Sequence, residues 1–334
     1  MIRSLLVEGG PNAESFTLRR NVERADLIAA IRANAMAWVD VVNPTREEID
    51  WLAETFALSL AVTQDLLRAD RRPSLLVYPT HLFLSFFQPY IQAGQVRGHE
   101  IHCVMTDTCF ITVRPSEADA FEDAYERAAQ NLDAWQNGSA YLLYLTAQHI
   151  VDAYYPLLDR MSNQLNTLEE KLLDSDFQGT ADEKWRKPVY RIKQQLINLR
   201  QMVAPQREVL SSVIGETRLG ETDNIRDLFR HLYERLLRVY DVIDSQRDLS
   251  SNVLDMMQNL ESRKMVEAVN RLTILSMIFL PLTFLSAWFE LGFATTSEPV
   301  ELPISGAAMF AIIIVGMIVS TVALSLFFRR RGWL

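Results

Sequence analysis

Residues 272–328 decide what this chain can become. Between Leu272 and Phe328 the only charged residues are Glu290, Glu298 and Glu301, although 22% of the whole chain is Asp, Glu, Lys or Arg. Within that tract Ala307–Phe328 (AAMFAIIIVGMIVSTVALSLFF) is an unbroken uncharged run, matching the roughly 20 residues that cross a bilayer core as a helix. Leu272–Phe289 (LTILSMIFLPLTFLSAWF) is shorter and contains Pro281, Thr283 and Ser286. Alone it reads as well as a buried core helix; beside the longer run it reads as the first of two spans. Arg263, Lys264 and Arg271 precede the first run, Arg329, Arg330 and Arg331 follow the second, and no Lys or Arg lies between Arg271 and Arg329. The positive-inside rule then predicts cytoplasmic termini, an outward loop over Gly292–Ser305 and residence in the inner (cytoplasmic) membrane.

The remaining composition narrows the classes. A formal net charge of −9 argues against nucleic acid, whose recognition needs a basic footprint, and is compatible with handling cations. The two cysteines, Cys103 and Cys109, make no disulfide framework and suit a reducing compartment. The N-terminal stretch MIRSLLVEGGPNAES has no apolar core of the kind a cleavable signal needs.

Residues 1–137 predict a mixed α/β domain. Ala37–Val42 reads as a strand, and Thr45 with Glu48 as a capping box opening a helix through Phe56. Ser74–Val77, Leu82–Gln88, Glu100–Met105 and Cys109–Arg114 read as short strands, with Ser116 capping a helix to about Gln130. Residues 138–221 predict long helices, one over 140–173 kinked at Pro156 and one over 185–212 interrupted by Pro188 and Pro205.

Between Gly220 and Pro281 there is no Gly or Pro, and Thr222 or Asp223 can cap the start. Ile225, Phe229, Leu232, Leu236, Val239, Ile243, Val253, Met257 and Leu260 follow a heptad seam, with polar steps at Gln246 and Ser250. A helix from Asp223 to Phe289 would be roughly 100 Å long. Such a rod predicts a stalk that enters the membrane and packs against copies of itself. Continued through Val266 and Val269, the period reaches Thr273, Ser276, Leu280, Thr283 and Ala287, a narrow, mildly polar stripe on a greasy helix. Small and hydroxyl residues serve as contacts between membrane helices and equally as the wall of a shared pore. Spacing leaves both open.

Several segments carry a family resemblance. RLTILSMIFLPLTFLSAWFELGFATTSEP resembles the first span and outer loop of CorA-type metal-ion transporters, and FFRRRGWL their basic C-terminus. VAPQREV (Val203–Val209) is similar to the zinc-transporting ZntB branch, and Trp38–Phe56 to the family's cytoplasmic domain; a CmaX-type branch is a further match. The resemblance implies an α+β membrane protein assembled as a homopentameric funnel. Its parts would be an N-terminal cytoplasmic α/β domain (1–137), long helices (138–221), a stalk helix (222–271), a pore-lining span (272–289), an external loop (290–305), a second span (306–328) and a basic cytoplasmic tail (329–334). It implies a channel or transporter for divalent cations, Mg2+ or Zn2+, with the metal as transported or regulatory ligand, no other cofactor, and self and lipid as partners.

One departure stands out. Where the family has Gly-Met-Asn or Gly-Ile-Asn after the first span, this chain has Glu290-Leu291-Gly292. A ring of neutral carbonyls can read a hydrated ion; five Glu290 carboxylates would attract cations by charge, with Glu298 and Glu301 adding to that field. These glutamates read equally as an ordinary solvated loop. The lost Asn also keeps open a non-conducting scaffold or regulator derived from the family, while three outward acids and no outward base disfavour an anion pathway.

Elsewhere, His99-Glu100-Ile101-His102-Cys103 invites a zinc site, but adjacent strand residues point to opposite faces, so a structural strand with a buried Cys is expected. Asp174 and Asp176, in an acidic turn, are candidates for a cytosolic metal site or a plain solvated turn. No base, nucleophile and orienting group converge, so no enzyme is expected.

Overall fold

The computed structural model describes residues 1–8, 17–68, 72–118, 120–173, 183–216, 223–294 and 306–330. It comprises two compact units: Met1–Gln178 with Asp182–Leu254, and Gly179–Ala181 with Asp255–Leu334.

The first unit is built on a seven-stranded sheet of β1 (Ile2–Glu8), β2 (Thr17–Arg20), β3 (Met36–Val42), β4 (Ser74–Val77), β5 (Leu82–Gln92), β6 (Gln95–Met105) and β7 (Cys109–Arg114). The order is β2-β1-β3-β7-β6-β5-β4. β3 and β7 pair in parallel, Val39 opposite Ile111, and the other pairs are antiparallel. β3 reads MAWVDVV and is buried over its first six positions, as a central strand covered on both faces must be.

Alternation sends Val39, Val41, Phe83, Val104, Ile111 and Val113 to one face. There they meet Leu27 of α1 (Arg24–Arg32), Ile49 and Leu52 of α2 (Arg46–Thr55), and Val62 and Leu66 of α3 (Leu60–Leu67). The other face carries Trp38, whose ring has three edge-on neighbours, Phe110, Phe121 and Tyr125, at centroid distances of 5.3, 5.6 and 5.4 Å. Phe121 and Tyr125 belong to α4 (Ala120–Gln130). Such aromatic pairs contribute about 0.5–1.5 kcal/mol each beyond area burial, so Trp38 fixes α4 on the sheet.

The expected capping box is present: Glu48 N–H donates to Thr45 Oγ1 (3.3 Å) and Thr45 N–H to Glu48 Oε2 (3.0 Å). The four strands expected over 74–114 are found, β5 and β6 extending into a hairpin that turns at Ala93 and Gly94, both at positive φ. Three expectations are corrected. Ser116 does not cap α4; its hydroxyl accepts from Asn43 Nδ2 (2.9 Å) and its N–H donates to Asn43 Oδ1 (3.0 Å), tying the chain after β3 to the chain after β7. The helix over 140–173 is not kinked at Pro156 but broken before it, into α5 (Gly138–Asp152) and α6 (Tyr154–Leu173). Pro156 thereby sits in the first turn of α6, where its missing N–H costs nothing.

Nor do Pro188 and Pro205 interrupt α7 (Glu183–Ile214), which runs through both. Gln206 anchors it across the second proline: its amide donates to Tyr154 Oη (2.5 Å) and accepts from Phe87 N–H (3.3 Å). Tertiary bonds here outweigh the local cost of a mid-helix proline, about 3 kcal/mol.

α8 is a single 72-residue helix, Asp223–Ala294, with Pro281 inside it; its expected cap at Thr222 lies outside the described residues, and Asp223 is already helical. α9 covers Gly306–Arg330 and ends on Arg329 and Arg330, cations that complement the dipole of a helix C-terminus.

Candidate functional site

α8 changes character along its length, and the change places every candidate residue. In the first unit its seam is closed: Ile225, Phe229, Leu232, Leu236, Val239, Ile243 and Val253 are buried, and so are Gln246 and Ser250. The partners are in the same chain. Phe229 packs edge-on against Tyr144 of α5 at 5.8 Å. Arg235 pairs with Asp152, and its carbonyl accepts from Tyr155 Oη (3.5 Å). Gln246 Nε2 donates to the Leu158 carbonyl of α6 (3.1 Å), and Arg200 of α7 pairs with Asp244 (3.0 Å).

Over Ile225–Val253 this overturns the expectation that the seam from Ile225 to Leu260 joins copies; Leu260, at its end, is half-buried. The reason was legible: α6 carries Leu158, Met161, Leu165, Leu168 and Leu172, and α7 carries Val189, Ile192, Leu196, Leu199 and Val203, all buried at alternating steps of three and four. Three helices with matching stripes satisfy one another within a chain.

From Met265 onward most of the described apolar side chains of α8 are open. Met265, Val266, Val269, Leu272, Leu275, Met277, Phe279, Leu280 and Phe284 are all exposed, Leu280 at 71%, while Ile274 is buried. α8 is long and apolar enough to cross a membrane, with a window of mean hydropathy 1.5 that is 6% buried. Exposed apolar area on this scale needs lipid or protein to cover it.

The stripe residues lie on this open segment at steps of three and four. Thr273 is half-buried, and Ser276, Leu280, Thr283 and Ala287 are exposed. Thr273 donates its hydroxyl proton to the Val269 carbonyl (2.8 Å), and Thr283 donates to those of Phe279 (2.8 Å) and Leu280 (3.0 Å). A hydroxyl whose proton is spent on its own helix offers only lone pairs outward, which suits a cation or an O–H donor of its water shell.

The helix also runs on to Ala294 rather than ending at Phe289, so Glu290, Leu291 and Gly292 are helical in backbone. Glu290 falls seven positions after Thr283, in register with the stripe. Glu298 and Glu301 lie outside the described residues, as do Asp174 and Asp176.

The remaining metal candidates are not brought together. Among the described residues no group of three or more His, Cys, Asp or Glu could hold a metal ion. Cys103 and Cys109 are fully buried, and burial pushes both thiols up, which keeps them protonated and inert. His102 pairs in register with Ser85 and Cys103 with Leu84, on opposite faces as expected; His102 lies 3.5 Å from Glu100 on its own face.

Comparison with known proteins agrees with this architecture. Residues 33–330 match the family model described as CorA-like Mg2+ transporter protein. The chain is 25% identical over 302 residues to the cobalt/magnesium transport protein CorA of Thermotoga maritima, covering 89% of this chain and 83% of the relative. It is 23% identical over 308 residues to the zinc transport protein ZntB of Yersinia pseudotuberculosis, covering 92% and 90%. Among solved structures, the complete CorA magnesium transporter from Methanocaldococcus jannaschii superposes with a TM-score of 0.79 at 18% identity, covering 99% of this chain and 98% of the other. Full-length CmaX gives 0.73 at 19%, covering 99% and 97%. With nine-tenths of its length, from β3 through α9, falling within one family model, the chain belongs to the CorA-like Mg2+ transporter protein family.

Proposed function

We propose that this chain is a membrane transporter or channel for divalent cations, Mg2+ or Zn2+, working as a homopentamer in the inner membrane. The observation that carries it is the switch within α8, from a seam closed inside its own chain to an open apolar helix bearing one stripe of outward lone pairs. The open faces fit lipid and neighbouring copies; the stripe of Thr273, Ser276, Leu280, Thr283 and Ala287 fits a water-filled axis. Leu280 supplies an apolar constriction and the threonine oxygens supply acceptors. The positive flanks support cytoplasmic termini, α9 as the second span, and an outward segment after Glu290.

The named relatives transport cobalt, magnesium and zinc, which supports divalent substrates and leaves the choice between them to the site. Glu290-Leu291-Gly292 in place of the expected Asn motif predicts selection by charge more than by an ordered hydration shell. The test is ion flux into liposomes holding the purified protein, screened across Mg2+, Zn2+, Co2+ and Ni2+. Uptake of one or more of these, lost in Thr283→Lys, is expected; no uptake of any would leave the scaffold as the better account.

A further inference from the structure

A second binding site is built into the first unit, away from the α8 stripe. α6 and α7 leave between them a groove of about 840 Å³ that reaches the β5–β6 hairpin, within the usual range for small-ligand sites, roughly 300–1,000 Å³. Its walls are two facing helix stripes. Arg160, Asn163, Gln164 and Thr167 stand at i, i+3, i+4 and i+7 on α6, and Arg191 and Gln195 one turn apart on α7.

Facing stripes that bury nothing polar close to 8–10 Å; these two present guanidinium and amide groups instead. Gln195 is nearly fully buried and spends its Nε2 proton on the Gly94 carbonyl (2.6 Å), which pins the hairpin to α7. Arg191 lies beside the same glycine, where an added Cβ would stand 4.0 Å from its Nη1.

The charge in the groove is unbalanced. Arg160 and Arg191 are both exposed side chains. Among the described residues Arg160 and Arg191 form no ion pair, and the acid in the lining is Asp159 alone. Two guanidinium forks on opposite walls, flanked by side-chain amides, match a ligand with at least two linked oxyanions, because each planar fork takes two oxygens of one phosphate.

We propose that this groove binds a small molecule bearing a polyphosphate, bridged between Arg160 and Arg191. Occupancy would draw together the two helices that grip α8. Leu158, two residues before Arg160, supplies the carbonyl that holds Gln246, and Arg200 on α7 holds Asp244. A bound polyphosphate therefore stiffens the clamp on α8 and modulates transport, a consequence that rests on the function proposed above; the binding itself does not.

The experiment is calorimetric titration of the full-length protein in detergent, stripped of metal with EDTA, with inorganic pyrophosphate, ATP and AMP. Pyrophosphate and ATP should bind and AMP far more weakly; ATP binding without pyrophosphate would assign the site to the nucleotide. The double variant Arg160→Gln/Arg191→Gln should weaken binding by about tenfold or more, while Arg97→Gln, outside the groove, should bind as wild type does. Should the double variant fail to fold, the single variants decide. Absence of pyrophosphate and ATP binding in wild type, or unchanged affinity in the glutamine variants, overturns the proposal. Binding that persists in a protein showing no ion flux would leave this site standing and bring down the transport function instead.

Discussion

Arg114 grips the Asp40 carboxylate with two donors, Nε at 3.2 Å and Nη2 at 3.1 Å, and both side chains are completely buried. Arg3 adds donors from the other side, Thr112 Oγ1 donates at 2.9 Å, and the Trp38 indole donates to Thr112 at 3.0 Å. The pair stands on the parallel strands β3 and β7, so it locks the crossing that organises the sheet. Asp40→Asn leaves Arg3 and Arg114 with Glu122 as their one carboxylate, and removing one partner of a buried pair costs about 3–5 kcal/mol. The thermal midpoint of the first unit, followed by intrinsic tryptophan fluorescence, should fall sharply, whereas Glu8→Gln, which breaks the exposed pair with Arg19, should leave it almost unchanged.

Glu122 extends the cluster from α4, accepting from Arg3 Nη1 (2.9 Å) and Arg114 Nη2 (2.6 Å). Burial alone would raise its pKa, but these two hydrogen bonds and the charges behind them outweigh it and lower the carboxyl below its ordinary value. The folded state therefore holds fewer protons at this group than the unfolded state. Its contribution is complete above the unfolded glutamate pKa, about 4.3, and is lost as pH falls through the lower folded value. Glu122→Gln should lower stability at neutral pH and flatten the acid limb of the midpoint-against-pH curve. Parallel curves for variant and wild type would refute this.

The closed seam predicts that a core variant on α8 damages the fold of the chain rather than its assembly. Phe229 is fully buried against Tyr144, and Phe→Ala at such a site costs about 3–5 kcal/mol. Phe229→Ala should lower the thermal midpoint of the first unit, and the particles that remain folded should keep the wild-type mass by light scattering. Charge placed on the open stretch, as in Val266→Asp, should do the reverse. Dissociation by Phe229→Ala at an unchanged midpoint would mean that copies do meet at this seam.

Much of this was legible in the sequence, and the misses share a cause. The strands over 74–114 and the Thr45–Glu48 box rest on local chemistry, alternation and a reciprocal cap; both are found, with β5 and β6 longer than read. The prolines at 156, 188 and 205 misled because propensity is local, whereas Gln206 and Tyr154 hold α7 through contacts distant in sequence. The seam was correct as periodicity and wrong as partner choice, since a heptad stripe says that something covers it and not what. The groove at Arg160 and Arg191 was missed altogether, because polar residues at helical spacing look like any solvated face until the facing helix is in place.

The α8 stripe reaches Glu290, seven residues past Thr283. Glu290 occupies the place where the family resemblance leads one to expect Gly, and the helix continues through it to Ala294. In a pentamer, five carboxylates in register with Thr283 would surround one axis and concentrate cations at the mouth, an effect of about tenfold or more at low ionic strength. Glu290→Gln keeps size and hydrogen-bonding reach while removing the charge. Divalent flux into liposomes should fall by about that factor at low salt and converge on wild type as salt screens the field. The triple change Glu290→Gly, Leu291→Met and Gly292→Asn should shift preference toward hydrated Mg2+, since neutral carbonyls read the water shell of an ion that gives up water reluctantly. Equal flux of every cation at every salt in wild type and Glu290→Gln would reduce Glu290 to a solvated residue at a helix end.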